Sequence, residues 1–193
     1  MDNKAIRRLM RQRRRSLTPQ QQQRASEALA AQLTRLTTFR YRQRIAFYLA
    51  NDGEIDPGFA LGIAQRAGKT CFLPVLHPLK MNRLYFVRQR AGDPLTSNRF
   101  GIAEPSLRHR AIASMHAIDL ILLPLVAFDR QGNRLGMGGG FYDRTLSRRA
   151  PHTLLIGLAH SCQETDSIAR QPWDIPLHAI VTDREIIQIR ATE

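Results

Sequence analysis

Five of the chain's 12 glycines fall between positions 132 and 140. Gly136, Gly138, Gly139 and Gly140 occupy four of five consecutive positions, in the segment Arg134-Leu135-Gly136-Met137-Gly138-Gly139-Gly140-Phe141-Tyr142-Asp143. The segment follows the most apolar stretch of the sequence, 118–128, and precedes a short stretch of helical character. At such a junction, consecutive backbone N–H groups and a helix start can hold a phosphate. Side chains would obstruct that approach, so glycine suits it. A plain structural turn needs only one or two glycines. The pattern is not a Walker A loop, which requires GxxxxGK[ST], and not GxGxxG, because Phe141 stands where the third glycine belongs. Asp143 adds a carboxylate, the donor a hard divalent cation takes, although an Asp at a helix start is more often a cap. Asp183, after Thr182, offers a weaker second carboxylate, with a turn residue as the plain alternative. Arg134 can meet a phosphate or simply face solvent.

Cations are supplied by the N-terminal segment. Lys and Arg number 29 against 16 Asp and Glu, a net charge of +13. Residues 1–44 carry 12 of those cations and two acids, Asp2 and Glu27, so the rest of the chain is near neutral. Such asymmetry suits an anionic partner: nucleic acid, an acidic membrane surface or a phosphate-bearing small molecule. The plain alternative is a solvated basic helix face. A module for single-stranded nucleic acid interleaves aromatic rings with its cations. Residues 1–38 contain no Phe, Tyr or Trp, so a nucleic-acid partner is not expected. The Arg-rich start matches a transit peptide in composition, and no apolar h-region follows that would make a secretory signal. Cys71 and Cys162 lack metal-ligand spacing and fit a reducing compartment, the cytoplasm. The longest apolar run, 120–128, is far short of a membrane span, so no membrane partner is expected.

With 193 residues, 43% hydrophobic and 23% charged, the chain fits one α/β domain, with a basic helical segment, 1–40, packed on it. Residues 3–16 read as a helix whose inward stripe is Ile6, Leu9, Met10 and the Arg13 stem. Thr18-Pro19 opens a second helix. Strands are expected at 44–50, 70–76, 83–88, 118–128, 153–159, 179–182 and, at an edge, 186–189. A helix should start at Asp56-Pro57 and end at Gly68, and another should lie near 141–149. Residues 90–116 read as loop plus short helix. Strands alternating with helices imply a three-layer α/β/α sandwich with a mostly parallel open sheet. Ligands then bind outside the carboxyl ends of the strands.

The glycine segment closely resembles the signature of the 5-formyltetrahydrofolate cyclo-ligase (methenyltetrahydrofolate synthetase) family, roughly RLGxGxGYYD. Phe47-Tyr48-Leu49 with 51–54, Phe100-Gly101-Ile102-Ala103-Glu104-Pro105, and Trp173-Asp174-Ile175-Pro176 through Thr182 are similar to further family segments, so the likeness spans nearly the whole chain. It implies closure of 5-formyltetrahydrofolate to 5,10-methenyltetrahydrofolate with ATP as co-substrate and Mg²⁺, through phosphorylation of the formyl oxygen. Phosphoryl transfer depends mainly on positioning and charge neutralisation. The resemblance implies that Arg134, Leu135, Gly136, Met137, Gly138, Gly139, Gly140, Phe141 and Tyr142 bind ATP. Met137 through Phe141 would also border the folate. Arg134, Tyr142 and Asp143 would be catalytic, and Asp143 and Asp183 would hold the metal.

The family's K-x-x-L-R pattern places its Arg at Arg7 when counted back from Thr18, with Asn3 at the Lys position. Lys4 and Arg8 keep the spacing in an alternative register, and the resemblance implies that this cluster meets the ATP triphosphate through Arg7, with Lys4 and Arg8 able to substitute as phosphate cations. Glu54 would hold the pterin, whose N–H groups suit a carboxylate, and Leu49 would pack on the same ring. Phe141 replaces a family tyrosine and lacks its hydroxyl. His160, Gln163 and Trp173 fall in similar segments and are expected to be structural. The implied partners are small-molecule substrates, acted on by a monomer. Alternative readings are a nucleic-acid-binding module using the basic N-terminus, or another enzyme on a CoA-transferase-like α/β scaffold. The glycine segment with Asp143 discriminates against the latter, since fold alone cannot.

Overall fold

The computed structural model describes residues 2–106, 112–171 and 173–189. Helix α1 (Asn3–Arg15) starts at Asp2, whose side chain accepts a hydrogen bond from the Ala5 amide at 2.6 Å. Helix α2 (Pro19–Arg35) carries a full capping box: Thr18 Oγ1 accepts from the Gln21 amide and Gln21 Oε1 from the Thr18 amide. This satisfies two of the amides a helix start leaves unpaired. A short α3 (Thr37–Tyr41) and β1 (Arg44–Ala46) follow, then α4 (Gly58–Arg66), β2 (Thr70–Leu76), β3 (Leu84–Arg88), β4 (Leu95–Ser97) and β5 (Ala103–Pro105). The second half runs β6 (Leu120–Pro124), β7 (Ala127–Phe128), β8 (Arg134–Leu135), α5 (Phe141–Leu146), β9 (Leu154–Ala159), β10 (Ala179–Thr182) and β11 (Ile186–Gln188).

Seven strands form the central sheet in the order β11-β10-β9-β6-β1-β2-β3. The inner pairings are all parallel, and only the edge strands β3 and β11 run antiparallel. One face is covered by α2, α3 and α4, with Leu29, Leu33, Phe39, Ile45, Phe47, Leu122 and Leu158 in its core. The other buries Phe72, Phe86, Ile121, Leu123, Leu155 and Ile180 beneath α5 and irregular chain. The α/β sandwich is therefore thick on one side and thin on the other. Helix α1 lies on neither face. Its Ile6 and Met10 pack with Val126, Ala127, Leu135 and Ile168 near the carboxyl end of β6. Among the described residues, no helix is long and apolar enough to cross a membrane.

Three expectations change. The strand expected over 44–50 pairs only through Ala46, and the following residues leave the sheet to form the site. The apolar run 118–128 holds two strands. Leu125 and Val126 break the ladder, and their carbonyls accept instead from Gln163 Nε2 at 2.8 and 2.9 Å. That side chain replaces the missing strand partner. In 90–116, residues 107–111 lie outside the described residues. The rest contains the β4–β5 hairpin and a three-residue 3-10 turn (Met115–Ala117) rather than loop plus helix.

Candidate active site

Strand β1 has β2 on one side and β6 on the other, so the chain reverses its direction of travel across the sheet at β1. In open α/β sheets, the crevice outside the strand ends at such a reversal is the usual ligand site. Here the crevice opens into a cavity of about 750 Å³, lined by Tyr48 and Leu49 beyond β1, Pro74 of β2, and Leu125 beyond β6. That volume lies within the range of small-molecule sites, about 300–1,000 Å³.

The glycine segment forms one wall. The β7–β8 hairpin that leads into it is pinned by buried Asp129, which accepts from the amides of Gln131 and Asn133 at 3.0 Å and from the Ile168 amide at 3.0 Å. The segment then passes residues 136–140 to α5. Gly140, at the start of that helix, has φ 65°, a left-handed conformation that a side chain disfavours. Helix α5 has only six residues, too short to offer an anion site of its own, and the cations beside this wall are Arg134 and Arg7. Arg134 ion-pairs with Asp143 and donates to the Ile175 carbonyl. Arg7 reaches over from α1 and donates from Nε to the Gly136 carbonyl at 2.8 Å.

Glu54 lines the same cavity. Its Oε2 accepts from the Asn51 amide at 3.2 Å, and the Glu54 amide returns a bond to the Asn51 carbonyl at 3.0 Å. Burial pushes the Glu54 carboxyl up to about 7, against the lowering effect of Arg14 and the Asn51 amide. Burial, and then the Glu54 charge, also raise the Tyr142 phenol well above its ordinary value. Tyr142 therefore stays a neutral hydrogen-bond donor at any working pH. Phe141 meets the half-exposed ring of Phe100 edge-on, with centroids 6.1 Å apart. Phe100 comes from the β4–β5 turn, and Glu104 of that hairpin accepts from the Leu76 amide at 3.0 Å.

The cavity wall thus gathers Arg7, Leu49, Glu54 and every residue from Arg134 to Asp143. It does not gather Lys4 and Arg8. One residue turns a helix by about 100°, and these two face a shallower concavity on the outer side of α1, which Arg7 also borders. Nor does it gather Asp183. The two oxygens of Asp183 accept from the Ser161 amide at 2.6 Å and the Ser161 hydroxyl at 3.2 Å, closing the 3-10 turn Ser161–Gln163. His160 is buried, and burial lowers its imidazole below the ordinary value. Gln163 braces the β6–β7 break. Trp173, expected to be structural, is instead largely exposed at the cavity rim. Among the described residues, no three His, Cys, Asp or Glu side chains converge as a metal cage. A lone Asp143 carboxylate still suits Mg²⁺, which commonly takes one or two carboxylates and completes its shell with phosphate oxygens and water.

Sequence reasoning missed two residues of this region. Arg14, a fully buried arginine, looks in sequence like one of a solvated run, Arg13-Arg14-Arg15. Asp52, with φ 54°, accepts from Arg11 and Arg14 at 2.9 and 2.8 Å and also pairs with Arg15. Burial acts to raise its carboxyl, but these hydrogen bonds prevail and hold it at about 2. The signal available was the placement of an Asp-Gly turn in a chain whose N-terminus carries excess arginine.

Comparison with known proteins agrees with this geometry. Residues 1–183 match the family model described as the 5-formyltetrahydrofolate cyclo-ligase family. The 5-formyltetrahydrofolate cyclo-ligase of Escherichia coli K12 is 41% identical over 179 residues, covering 92% of this chain and 98% of that protein. The Haemophilus influenzae enzyme of the same name is 38% identical over 177 residues, 91% of this chain and 95% of that one. The solved structure of a 5,10-methenyltetrahydrofolate synthetase from Aquifex aeolicus superposes with a TM-score of 0.83 at 30% identity, covering 98% of this chain and 94% of that chain. With the glycine wall and the acidic 51–54 turn lining one cavity, and with these likenesses running almost end to end, the chain belongs to the 5-formyltetrahydrofolate cyclo-ligase family.

Proposed function

We infer that the protein converts 5-formyltetrahydrofolate to 5,10-methenyltetrahydrofolate, with ATP converted to ADP and phosphate. The single observation that carries this reading is one cavity with two unlike walls. One wall is a glycine turn with cations beside it, suited to a triphosphate; the other presents a recessed carboxylate, suited to the N–H groups of a pterin. The formyl oxygen attacks the γ-phosphorus and ADP leaves. N10 then attacks the activated formyl carbon, the C–O bond breaks, and phosphate departs, the N10 proton leaving with it as hydrogen phosphate. An amide oxygen that would leave badly as hydroxide leaves well as phosphate.

Six side chains and the glycine turn carry this scheme. Arg7 and Arg134 neutralise the phosphates, and the turn amides of 136–140 orient them. Tyr142, neutral, donates its hydroxyl hydrogen to an oxygen of the reacting group. Glu54 accepts from the pterin and Leu49 packs on its ring. Asp143 would hold Mg²⁺, which supplies charge neutralisation to the triphosphate. For that, Asp143 must exchange its Arg134 partner. The two free thiols, Cys71 and Cys162, fit the reducing cytoplasm. Every group named comes from one chain, so a monomer suffices.

The test is an absorbance assay for 5,10-methenyltetrahydrofolate, with ATP and Mg²⁺ added separately and together. Product should form only with both, and ADP and phosphate should appear one-to-one with it. Product forming equally well without nucleotide would overturn the phosphoryl-transfer reading.

A further inference from the structure

The scheme above gives no part to Arg14, although it is the most enclosed cation near the cavity. Helix α1 buries Ile6, Met10 and Arg14, spaced four residues apart, and leaves Arg13 exposed. The Arg14 guanidinium touches three separate pieces of the site. Its Nε donates to the Asp52 carbonyl at 2.8 Å, and Nη2 donates to the Asp52 carboxylate at 2.8 Å. Its Nη1 donates to the Leu125 carbonyl at the end of β6 at 3.3 Å and lies 3.8 Å from Glu54 Oε1. Nη2 also faces the Met137 sulfur of the glycine segment at 3.8 Å.

The 51–54 turn needs such a brace. Asp52 and Gly53 sit at φ 54° and 75°, both left-handed. A Cβ on Gly53 would stand 3.1 Å from the Arg14 carbonyl oxygen, so the turn lies directly against α1. Gln22 Nε2 bridges the two, donating to the Arg14 carbonyl at 3.0 Å and the Gly53 carbonyl at 3.4 Å. Charge alone does not explain Arg14, because Arg11 and Arg15 already pair with Asp52. What only a planar five-donor fork supplies is simultaneous reach to the turn, the strand end and the glycine segment.

We propose that Arg14 is a positioning residue for folate recognition: its guanidinium locks the Asp52–Glu54 turn to the end of β6 and to the glycine segment, fixing the Glu54 carboxylate where the pterin must meet it. The inference rests on the reading of Glu54 as the pterin's partner. Lysine would keep the charge and lose the fork, so Arg14→Lys is the informative change.

The experiment measures the Kd of 5-formyltetrahydrofolate by calorimetry without nucleotide, and the KM for ATP, in Arg14→Lys, Glu54→Gln and the double variant. Arg14→Lys should weaken folate binding about tenfold with the ATP KM held within about twofold, and in the Glu54→Gln background it should add less than about threefold. An equal loss in both backgrounds would show that Arg14 does not act through Glu54 and would overturn the proposal. So would an unchanged Kd in Arg14→Lys with only a lower kcat, the mark of general structural damage. Should the lysine variant fail to fold, Arg14→Gln carries the same comparison. If Glu54→Gln alone left the Kd unchanged, the pterin reading of Glu54 would fall, whatever Arg14 did.

Discussion

At the scale of single residues, Glu54 and Asp143 are carboxylates in opposite situations. Glu54 is recessed, and burial pushes it up to about 7. Its ordinary value is near 4.5, so between those pH values the folded protein binds the extra proton. Stability from this group is full below about 4.5 and is lost as pH rises through about 7. Glu54→Gln removes the charge. Its stability relative to the parent should therefore improve by about 2 kcal/mol between pH 4.5 and pH 8. Urea unfolding at the two pH values checks this; parallel curves would refute it. Folate affinity should move the other way in the parent, tightening as pH rises through about 7 while the carboxylate forms, and Glu54→Gln should lack that pH dependence. Asp143 is partly open, with 28% of its side chain exposed, and it pairs with Arg134, whose side chain is 7% exposed. Asp143→Asn should lose most turnover, and raised Mg²⁺ should recover part of it. Its Tm should fall by only about 2–8 °C, the loss of one charge-assisted bond of about 1–2 kcal/mol. A capping role alone would leave the Mg²⁺ dependence unaltered, because Asn caps about as well as Asp.

At the scale of elements, the glycine segment joins two pieces with different constraints, the β7–β8 hairpin and α5. Gly140 must be left-handed, and a Cβ there would stand 2.8 Å from the Arg144 guanidinium, which itself donates to the Gly139 carbonyl at 2.7 Å. Gly140→Ala should cost about 1 kcal/mol of stability from the φ alone. It should also raise the ATP KM, because the turn amides shift. Arg7→Ala removes the bond to Gly136 and the cation proposed to meet a phosphate together. It should raise the ATP KM about tenfold and by more than Arg8→Ala does, since a charge-assisted contact contributes about 1.5–3 kcal/mol. The reverse ranking would move the phosphate contact one position along α1.

The same elements show what was legible in the sequence. The strand at 70–76 and the Thr18-Pro19 helix start have local causes, β-branched and aromatic residues in one and a capping box in the other, so they read correctly. The break at Leu125-Val126 has no local cause. It exists because Gln163, 37 and 38 positions away, supplies the hydrogen bonds a strand partner would have supplied. The glycine wall was legible as a cluster. Arg14 was not, because a heptad-like stripe ending at Arg13 or at Arg14 looks alike until the distant Asp52 turn selects one of them.

At the scale of the whole molecule, the question is what the net charge of +13 does. Much of the charge on α1 is already used internally: Asp52 pairs with Arg11, Arg14 and Arg15. Lys4, Arg7 and Arg8 have no carboxylate partner among the described residues, and they lie around the outer concavity that meets the cavity at Arg7. Both proposed substrates are polyanions, so this cluster should raise their local concentration and speed their arrival. Exposed charges of this kind are screened over about 10 Å at 0.1 M salt. The kcat/KM for ATP should therefore fall about three- to tenfold between 20 and 200 mM KCl, with kcat nearly constant. The Tm should move little, because the Arg14–Asp52 pair is shielded from solvent. A protein built to bind nucleic acid would behave differently. Neutralising six to ten phosphates makes affinity fall about 10³–10⁵-fold over a comparable salt range, and three clustered cations cannot produce so steep a slope. Measuring ATP kinetics and duplex-DNA binding on one salt series separates the two uses of the charge. A flat kcat/KM beside a steep DNA-binding slope would assign the basic segment to a nucleic-acid partner instead of to the substrates.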